Sequence, residues 1–196
     1  MTVGPIRSPA DAGDRIKMPN SRKTSKRVTI ILYIMRHGDA EPAQALSADA
    51  IRPLSDDGEE EVLRSTEWLA TELKAADAGG LDLLICSPYV RARQTAAIIE
   101  SKISVERQLQ NNDVTPDGDP AVFADWLFTQ LPQQGDPIKR VAVVSHMPFV
   151  SYLVAELDPA SQPMLFQTAG IAELTLDCDK GRGRFQRMAG TEPDWK

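Results

Sequence analysis

Three runs of mostly apolar residues stand out along the chain: VTIILYIM at 28–35, LDLLICS at 81–87 and RVAVVSH at 140–146. Runs of this length that are rich in β-branched residues are too short for most helices, and they are typical of strands buried on both faces of a sheet. Two further runs, GIAELTLD and RFQRMAG, flank CDKGRG and predict an antiparallel hairpin near the C-terminus. A shorter strand is predicted at Ile103–Arg107.

Helical patterns lie between these strands. The segment SDDGEEEVLRSTEWLATELKAADAGG begins with the capping candidates Ser55–Asp57 and ends at Gly79–Gly80. Its helical spacing predicts a buried stripe of Val62, Thr66, Leu69 and Leu73. Further helices are predicted after Ser87–Pro88, from Asp119–Pro120 to near Leu131, and from Pro148. This alternation indicates an α/β fold: a three-layer α/β/α sandwich with a mostly parallel central sheet and a C-terminal antiparallel hairpin.

Reactive side chains follow the predicted central strands. His37 lies two residues beyond the end of the first run, in LYIMRHGDAEP, and His146 ends the third, in VAVVSHMPF; the chain has two histidines in all. Ser87 ends the second run and precedes Arg91 by about one helical turn. Sheets of this class bind ligands in a crevice outside the carboxyl ends of their strands. The sequence therefore predicts one site at this edge, with Arg36 beside His37.

The residue types at this edge fit phosphoryl transfer. The guanidiniums of Arg36 and Arg91 match phosphate oxygens with bidentate hydrogen bonds, and the helix starts after Ser87 and Met147 present positive dipole ends to an anion. Gly38 lacks a Cβ, so a ligand could approach its backbone closely. A neutral imidazole can attack phosphorus, and nearby cations lower its pKa and keep it neutral. The pattern predicts transfer through a phosphohistidine, with no metal ion, nucleotide or other cofactor.

The same residues also have plainer interpretations. A histidine at the end of a strand can be a structural residue, and Arg91 alone can be a surface cation on a helix. Two histidines can form a metal pair, although no third histidine or cysteine has the usual ligand spacing. The phosphoryl-transfer hypothesis depends on the conjunction of four groups at one predicted edge.

Composition and charge narrow the classes of function. With 196 residues, 42% of them hydrophobic and 26% charged, the chain fits one globular domain with tails. Residues 1–27 hold seven lysines and arginines against two aspartates, whereas the whole chain carries a net charge of −6. We therefore expect a disordered basic tail at 1–27, an acidic domain at 28–190 and a short tail at 191–196. An acidic domain is a poor nucleic-acid binder.

The expected compartment follows from other features. No stretch is apolar enough to span a membrane, and the N-terminus lacks the apolar region of a secretory signal. Cys86 and Cys178 lie in strand-like contexts and are expected to be buried free thiols. These features predict a cytoplasmic protein that does not act at a membrane.

The sequence resembles the histidine phosphatase superfamily, whose fold is phosphoglycerate-mutase-like, and within it the short SixA-type phosphohistidine phosphatases. The matching stretches are YIMRHGDAEP, IRPLSDDGEEEV, LDLLICSPYVRARQTA, VTPDGDP and VAVVSHMPFVSYLVAEL, which with the hairpin cover about residues 29–190. By position, the resemblance implies that His37 is the nucleophile and that Arg36 and Arg91 clamp the phosphoryl oxygens. It also implies that His146 contacts the phosphoryl group and that Arg52 lies at the mouth of the pocket.

The resemblance leaves the proton donor open. Many members of the superfamily carry an acidic donor in an insertion after the RAxQT helix, but here that segment is short, SKISVERQLQNNDVTPDGDP. Glu106 falls on a predicted strand and Asp113 in a loop, while Asp49, three residues before Arg52, is the SixA-like candidate for a pocket acid. Ser87 is either part of the pocket rim or only a helix cap. An imidazole leaves more easily than an alkoxide and needs less help from an acid.

The implied function is a phosphohistidine phosphatase for a protein substrate, with a histidine phosphotransfer domain or a phosphocarrier as the expected partner. The short lid fits this function, because an open pocket can admit a side chain that projects from another protein. One alternative is a small-molecule phosphomonoesterase with the same site, which needs a closing cleft and a working acid. Another is a catalytically silent phospho-binding module that uses the basic tail as its partner arm, and the presence of all four core residues argues against it.

Overall fold

The computed structural model describes residues 29–43, 48–133 and 138–189, so the predicted tails at 1–27 and 191–196 lie outside the described residues. The strands within these ranges are β1 (Ile30–Arg36), β2 (Leu83–Cys86), β3 (Gln108–Gln110), β4 (Arg140–Ser145), β5 (Ile171–Asp177) and β6 (Arg182–Ala189). They form one sheet in the order β3-β2-β4-β1-β5-β6. The first four strands in that order are parallel, and β5 and β6 add an antiparallel hairpin. The predicted sheet is confirmed.

The helices of the described residues are α1 (Asp56–Ala75), α2 (Val90–Lys102), α3 (Pro120–Gln130) and α4 (Phe149–Leu157). Helices α1 and α2 pack together, as do α3 and α4. The core divides into two clusters: one contains side chains of α1 and α2, and the other contains side chains of α3 and α4. The molecule is therefore the three-layer sandwich that the alternation of strands and helices predicts.

Strand β1 explains why the central strands read as unbroken apolar runs. Leu32 and Ile34 are fully buried in the cluster beneath α3 and α4, whereas Tyr33 and Met35 are buried in the cluster beneath α1 and α2. Successive side chains of a strand point to opposite faces, so a strand covered on both faces needs apolar residues at every position.

Helix α1 begins where its capping residues predict, but it ends before the glycines that were predicted to stop it. The Ser55 hydroxyl accepts a hydrogen bond from the Gly58 N–H at 3.1 Å, which satisfies one free donor of the first turn. The predicted stripe is buried. The helix ends at Ala75 because Asp77 takes a left-handed conformation with φ of 51°, before Gly79–Gly80 are reached.

The strand predicted at Ile103–Arg107 is displaced along the chain. Ile103 is instead the C-cap of α2 and is buried in the core, and Val105 makes an isolated bridge to Leu81. The strand itself is β3, whose three side chains are all exposed. An edge strand with an exposed surface has no apolar pattern for the sequence to reveal. At the opposite edge, the exposed residues of β6 include Arg182 and Arg184.

The start of α2 also differs from the prediction. Ser87 and Pro88 are not its N-cap and first residue, because the helix begins at Val90 with Tyr89 as N-cap. The Ser87 hydroxyl accepts a hydrogen bond from the Tyr89 N–H at 3.3 Å, so it closes a turn that precedes the helix. The predicted start of α3 is confirmed, since the Asp119 carboxylate accepts a hydrogen bond from the Ala121 N–H.

Two smaller expectations concern membranes and cysteines. Among the helices of the described ranges, none combines the length and apolar character that crossing a membrane requires. Cys86 and Cys178 are both free thiols; the first is buried in β2 and the second is half-buried after β5.

Candidate active site

The sheet brings the predicted residues to one edge. Strand β4 lies between β1 and β2, and the register pairs Arg36 with Ser145 and Cys86 with Val144. The three strands therefore end level with one another, and the residues that follow them are His37, His146 and Ser87. The His37 backbone is fixed on both sides, since its N–H donates to the Ser145 carbonyl and its carbonyl accepts from the Ala169 N–H.

His37 is held in one neutral tautomer. Its ring is 6% exposed, and Nδ1 lies 2.6 Å from the Gly38 carbonyl oxygen, which can only accept a hydrogen bond. Nδ1 therefore carries the proton, and Nε2 keeps a lone pair that accepts a hydrogen bond from Arg91 Nε at 3.0 Å. Burial, together with the charges of the nearby arginines, lowers the pKa of His37 to about 4 against the Gly38 hydrogen bond, which raises it. The imidazole is therefore uncharged at neutral pH, with its single proton on Nδ1.

Arg91 is almost fully buried, and it is bonded at all three guanidinium nitrogens. Besides the bond from Nε to His37, Nη1 donates to the Asp49 backbone carbonyl and Nη2 to the Asp49 carboxylate, each at 2.8 Å. Thr95, one turn further along α2, donates its hydroxyl to the Arg91 carbonyl and accepts the Gly38 N–H at 3.4 Å. Helix α2 is thereby joined to the loop that carries His37.

His146 is buried, with 1% of its surface exposed, and neither ring nitrogen has a hydrogen-bond partner within the described residues. Its ring meets that of His37 edge-on, with centroids 4.9 Å apart. Burial, then the proximity of His37 and the site arginines, lowers the pKa of His146 to about 2. Two neutral imidazoles thus lie side by side, and one of them has unused polar atoms.

Tyr89 completes this wall of the site, and the sequence interpretation missed it. Its ring lies edge-on to His146 at 5.0 Å, and the Arg91 guanidinium lies over the same ring at 5.1 Å. An aromatic residue between a strand end and the arginine of the next helix is the available sequence signal, but it does not say which residues the ring contacts.

Arg36 contributes a second guanidinium, and its side chain is half-buried. Nη1 donates to the Phe166 carbonyl at 2.8 Å, and Nε is buried without a hydrogen-bond partner in the part of the chain that is described. The unpaired Nε and the unpaired nitrogens of His146 are polar atoms that burial makes costly to leave unbonded. Such atoms are expected where a polar ligand completes the site.

Asp49 and Arg52 lie at the rim. The Asp49 carboxylate bridges Arg91 and Arg52, with 3.1 Å between Arg52 Nε and Asp49 Oδ1, and its side chain is 51% exposed. Desolvation alone raises the pKa of Asp49, but the hydrogen bond from Arg91 and the charges of both arginines outweigh it and lower that pKa. Asp49 is therefore a carboxylate at neutral pH, and its role as the pocket acid stays a prediction.

Neither of the other two candidate acids has a hydrogen bond or an ion pair to His37 or His146 within the described residues. The Glu106 N–H donates to the Leu81 carbonyl, which precedes β2, so Glu106 lies at the opposite end of that strand from the site. Asp113 follows β3 in a short turn, where its N–H donates to the Asn111 side chain. Ser87 is fully buried and its hydroxyl closes the turn before α2, so it is not the N-cap of that helix, and its part in the pocket stays a prediction. The described residues contain no group of three or more side chains suited to a metal ion.

Gly38 allows close packing against helix α1, whereas the sequence predicted the close approach of a ligand. A Cβ at Gly38 would collide with the Gly58 carbonyl oxygen and with Val62, and a Cβ at Gly58 would collide with the Asp39 carbonyl oxygen. The space is thus filled by α1 and not by a ligand. This packing is reinforced by Ser55, whose N–H and hydroxyl both donate to Asp39.

We expect Gly58→Ala to lower the free energy of unfolding by about 1–3 kcal/mol, because the added methyl meets backbone atoms that cannot rotate away. Urea-induced unfolding followed by circular dichroism measures this change. Gly79→Ala is the matched control, since a Cβ there meets nothing within 4 Å. Equal stability of the two variants would contradict the packing between α1 and the His37 loop.

Comparison with known proteins adds independent information. A family model described as "Histidine phosphatase superfamily (branch 1)" matches residues 32–113. The chain is 34% identical to phosphohistidine phosphatase SixA of Escherichia coli K12 over 155 residues, which are 79% of this chain and 89% of that protein. It is also 34% identical to the SixA homolog of Haemophilus influenzae, with coverage of 76% and 90%.

Solved structures agree with this similarity. A structure of the protein histidine phosphatase SixA complexed with tungstate superposes with a TM-score of 0.72 at 32% identity, and the match covers 83% of this chain and 97% of that one.

Proposed function

The chain belongs to the histidine phosphatase superfamily, and on that premise we propose that it removes the phosphoryl group from a histidine of another protein through a covalent phosphohistidine on His37. The single observation that carries this proposal is the state of His37: a buried neutral imidazole whose Nε2 lone pair points at the buried guanidinium of Arg91. A nucleophile and the positive charge that its reaction needs are therefore adjacent.

In the first step the His37 Nε2 lone pair forms a bond to phosphorus, and the phosphorus–nitrogen bond of the substrate histidine breaks. The electron pair of the broken bond stays on the departing imidazole nitrogen, which takes up a proton from solvent water. The His37 ring becomes cationic as the new bond forms. The Gly38 carbonyl favours that charge, because it accepts a hydrogen bond from Nδ1–H at 2.6 Å. In the second step water attacks phosphorus, releases a proton, and returns the lone pair to Nε2.

Charge on the phosphoryl oxygens is balanced by Arg36 and Arg91. Formation of the phosphorus bond uses the lone pair that accepts Arg91 Nε–H, which frees that donor for a phosphoryl oxygen. The unpaired Nε of Arg36 and a ring nitrogen of His146 supply further contacts, with His146 donating from its protonated nitrogen. We propose that these groups act without a metal ion, since two guanidiniums provide the charge that phosphoryl transfer needs.

The substrate side chain is a phosphohistidine of a protein, and we name a histidine phosphotransfer domain or a phosphocarrier as its source. The exposed rim at Asp49 and Arg52 fits a site that a projecting side chain can enter. A cytoplasmic location fits the free thiols of Cys86 and Cys178.

The test compares three substrates at equal enzyme concentration: a phosphorylated histidine phosphotransfer domain, phosphorylated imidazole and a panel of small phosphomonoesters. We expect kcat/KM for the protein to exceed that for the best monoester by about 100-fold or more, because the imidazole leaves easily and the protein supplies binding contacts. Phosphorylated imidazole isolates the contribution of the leaving group.

Rapid turnover of a monoester with slow release from the protein would contradict the proposal. That result would identify a small-molecule phosphatase, and the search for a working acid would then return to Asp49, Glu106 and Asp113.

A further inference from the structure

One contact of the site takes no part in the two steps of phosphoryl transfer: the pairing of Asp49 with Arg91. A guanidinium holds a phosphoryl group best with two parallel N–H groups. In Arg91 the Nε–H is taken by His37, and the pair formed by Nη1 and Nη2 is taken by the Asp49 carbonyl and carboxylate. Each nitrogen of the Arg91 guanidinium therefore already donates one hydrogen bond to a group of the protein itself.

Other polar nitrogens of the site have no hydrogen-bond partner in the part of the chain that is described. Arg36 Nε and both ring nitrogens of His146 are buried and unpaired within the described residues. Arg91 is 3% exposed, and a cation buried to that degree is costly without a partner. Asp49 supplies that partner, with a carboxylate oxygen in the position that a phosphoryl oxygen needs.

Asp49 is also placed so that its side chain can move away from Arg91. Its side chain is half exposed, it belongs to a single helical turn at residues 49–51, and its second carboxylate oxygen already contacts Arg52 at the rim. Rotation toward Arg52 and solvent would release Nη2 of Arg91 without exposing an unpaired charge. The carboxylate therefore has a second partner available when a phosphoryl group arrives.

From this geometry we infer that Asp49 is an anionic placeholder, which competes with the phosphoryl group for Arg91 and speeds release of inorganic phosphate after each turnover. It is a positioning residue that acts through Arg91 and not a proton donor. The inference rests on the proposed function, since it assumes that the phosphoryl group binds Arg91.

The test measures the dissociation constant of inorganic phosphate by titration calorimetry at pH 7.5, a readout that needs no turnover. Asp49→Asn keeps the shape and an oxygen that accepts from Arg91 but removes the charge. Because the Asp49 carboxylate occupies a donor of Arg91 and its negative charge repels phosphate, we expect Asp49→Asn to bind phosphate about tenfold more tightly or better. Asp49→Glu keeps the charge and should not tighten binding.

Asp125→Asn is the matched control, because it removes the same unit charge from an exposed position on α3. Unchanged or weaker phosphate binding by Asp49→Asn, with binding intact in the parent protein, overturns the inference alone. A loss of kcat of about 100-fold in Asp49→Asn with unchanged phosphate affinity also overturns it, since that split identifies a proton donor. If the parent protein and all variants bind no phosphate, the phosphoryl site itself is wrong and the proposed function fails with the inference.

Discussion

Replacing His37 with alanine is expected to reduce phosphate release from a phosphohistidine protein by about 10⁴-fold or more, because it removes the atom that takes the phosphoryl group. The loss should fall on kcat, since the arginines that hold the phosphoryl oxygens remain. A substrate protein labelled with radioactive phosphate gives a second readout. The label should pass to the parent enzyme as an acid-labile, alkali-stable adduct and should not pass to His37→Ala.

Two controls separate chemistry from folding in this experiment. The alanine variant should keep the near-ultraviolet circular dichroism of the parent, and His37→Gln, which refills most of the space, should be equally inactive. Retention of more than about 1% of the activity in either variant would exclude His37 as the nucleophile. Transfer of the label to a different residue of the parent enzyme would exclude it as well.

Replacing Arg91 with alanine should lower kcat/KM by about 10³-fold, the second largest effect that the site predicts. The guanidinium touches the nucleophile and the rim at once, so its loss affects phosphoryl binding and the orientation of His37. Arg91→Lys should recover little, since an ammonium cannot make two parallel hydrogen bonds. Arg93→Ala, an exposed position two residues along the same helix, is the matched control.

The pH profile distinguishes the charge of Arg91 from its shape. Protonation of His37 blocks its lone pair, so activity should fall as the pH drops toward the His37 pKa of about 4. Arg91→Ala removes one of the charges that lower this pKa, and the acid limb of kcat/KM should move to higher pH. It should stay below 6.5 because burial, the largest cause, remains. Arg91→Lys should leave the limb in place; a shift in the lysine variant and none in the alanine variant would refute this explanation.

The sequence predicts those parts of the fold in which burial or a local hydrogen bond determines the type of residue. The central positions of strands β1, β2 and β4 are buried on both faces and are apolar, and Asp119 marks a helix start by its own hydrogen bond. Strand β3 lies later in the chain than predicted because its residues are exposed at an edge, where burial imposes no pattern. The start of α2 differs for a similar reason: the Ser87 hydroxyl can close a turn as easily as cap a helix.

The site is predictable as a set of residues but not as a set of contacts. Arg36 ends β1, His37 and His146 follow β1 and β4, and the pairing and register of these two strands bring the three residues together; the periodicity indicates such an edge. The pairing of Asp49 with Arg91 spans 42 residues and depends on where a short turn lies across the pocket. The contact of Gly38 with Gly58 is equally non-local, and a missing side chain does not reveal which neighbour fills the space.

The two ends of the sheet have a consequence for how molecules of this protein meet each other. An open strand edge invites another chain to continue the hydrogen-bond ladder, and proteins counter this with short or charged edge strands. At one edge, β3 is only three residues long. At the other edge, the pairing of β6 with β5 is irregular at Glu173/Leu174, and the exposed residues of β6 include Arg182 and Arg184. Stacking two copies through β6 would bring like charges together. The ladder thus terminates itself, so growth into fibres by sheet addition is disfavoured, and crowded molecules should remain dispersed as long as those arginines keep their charge.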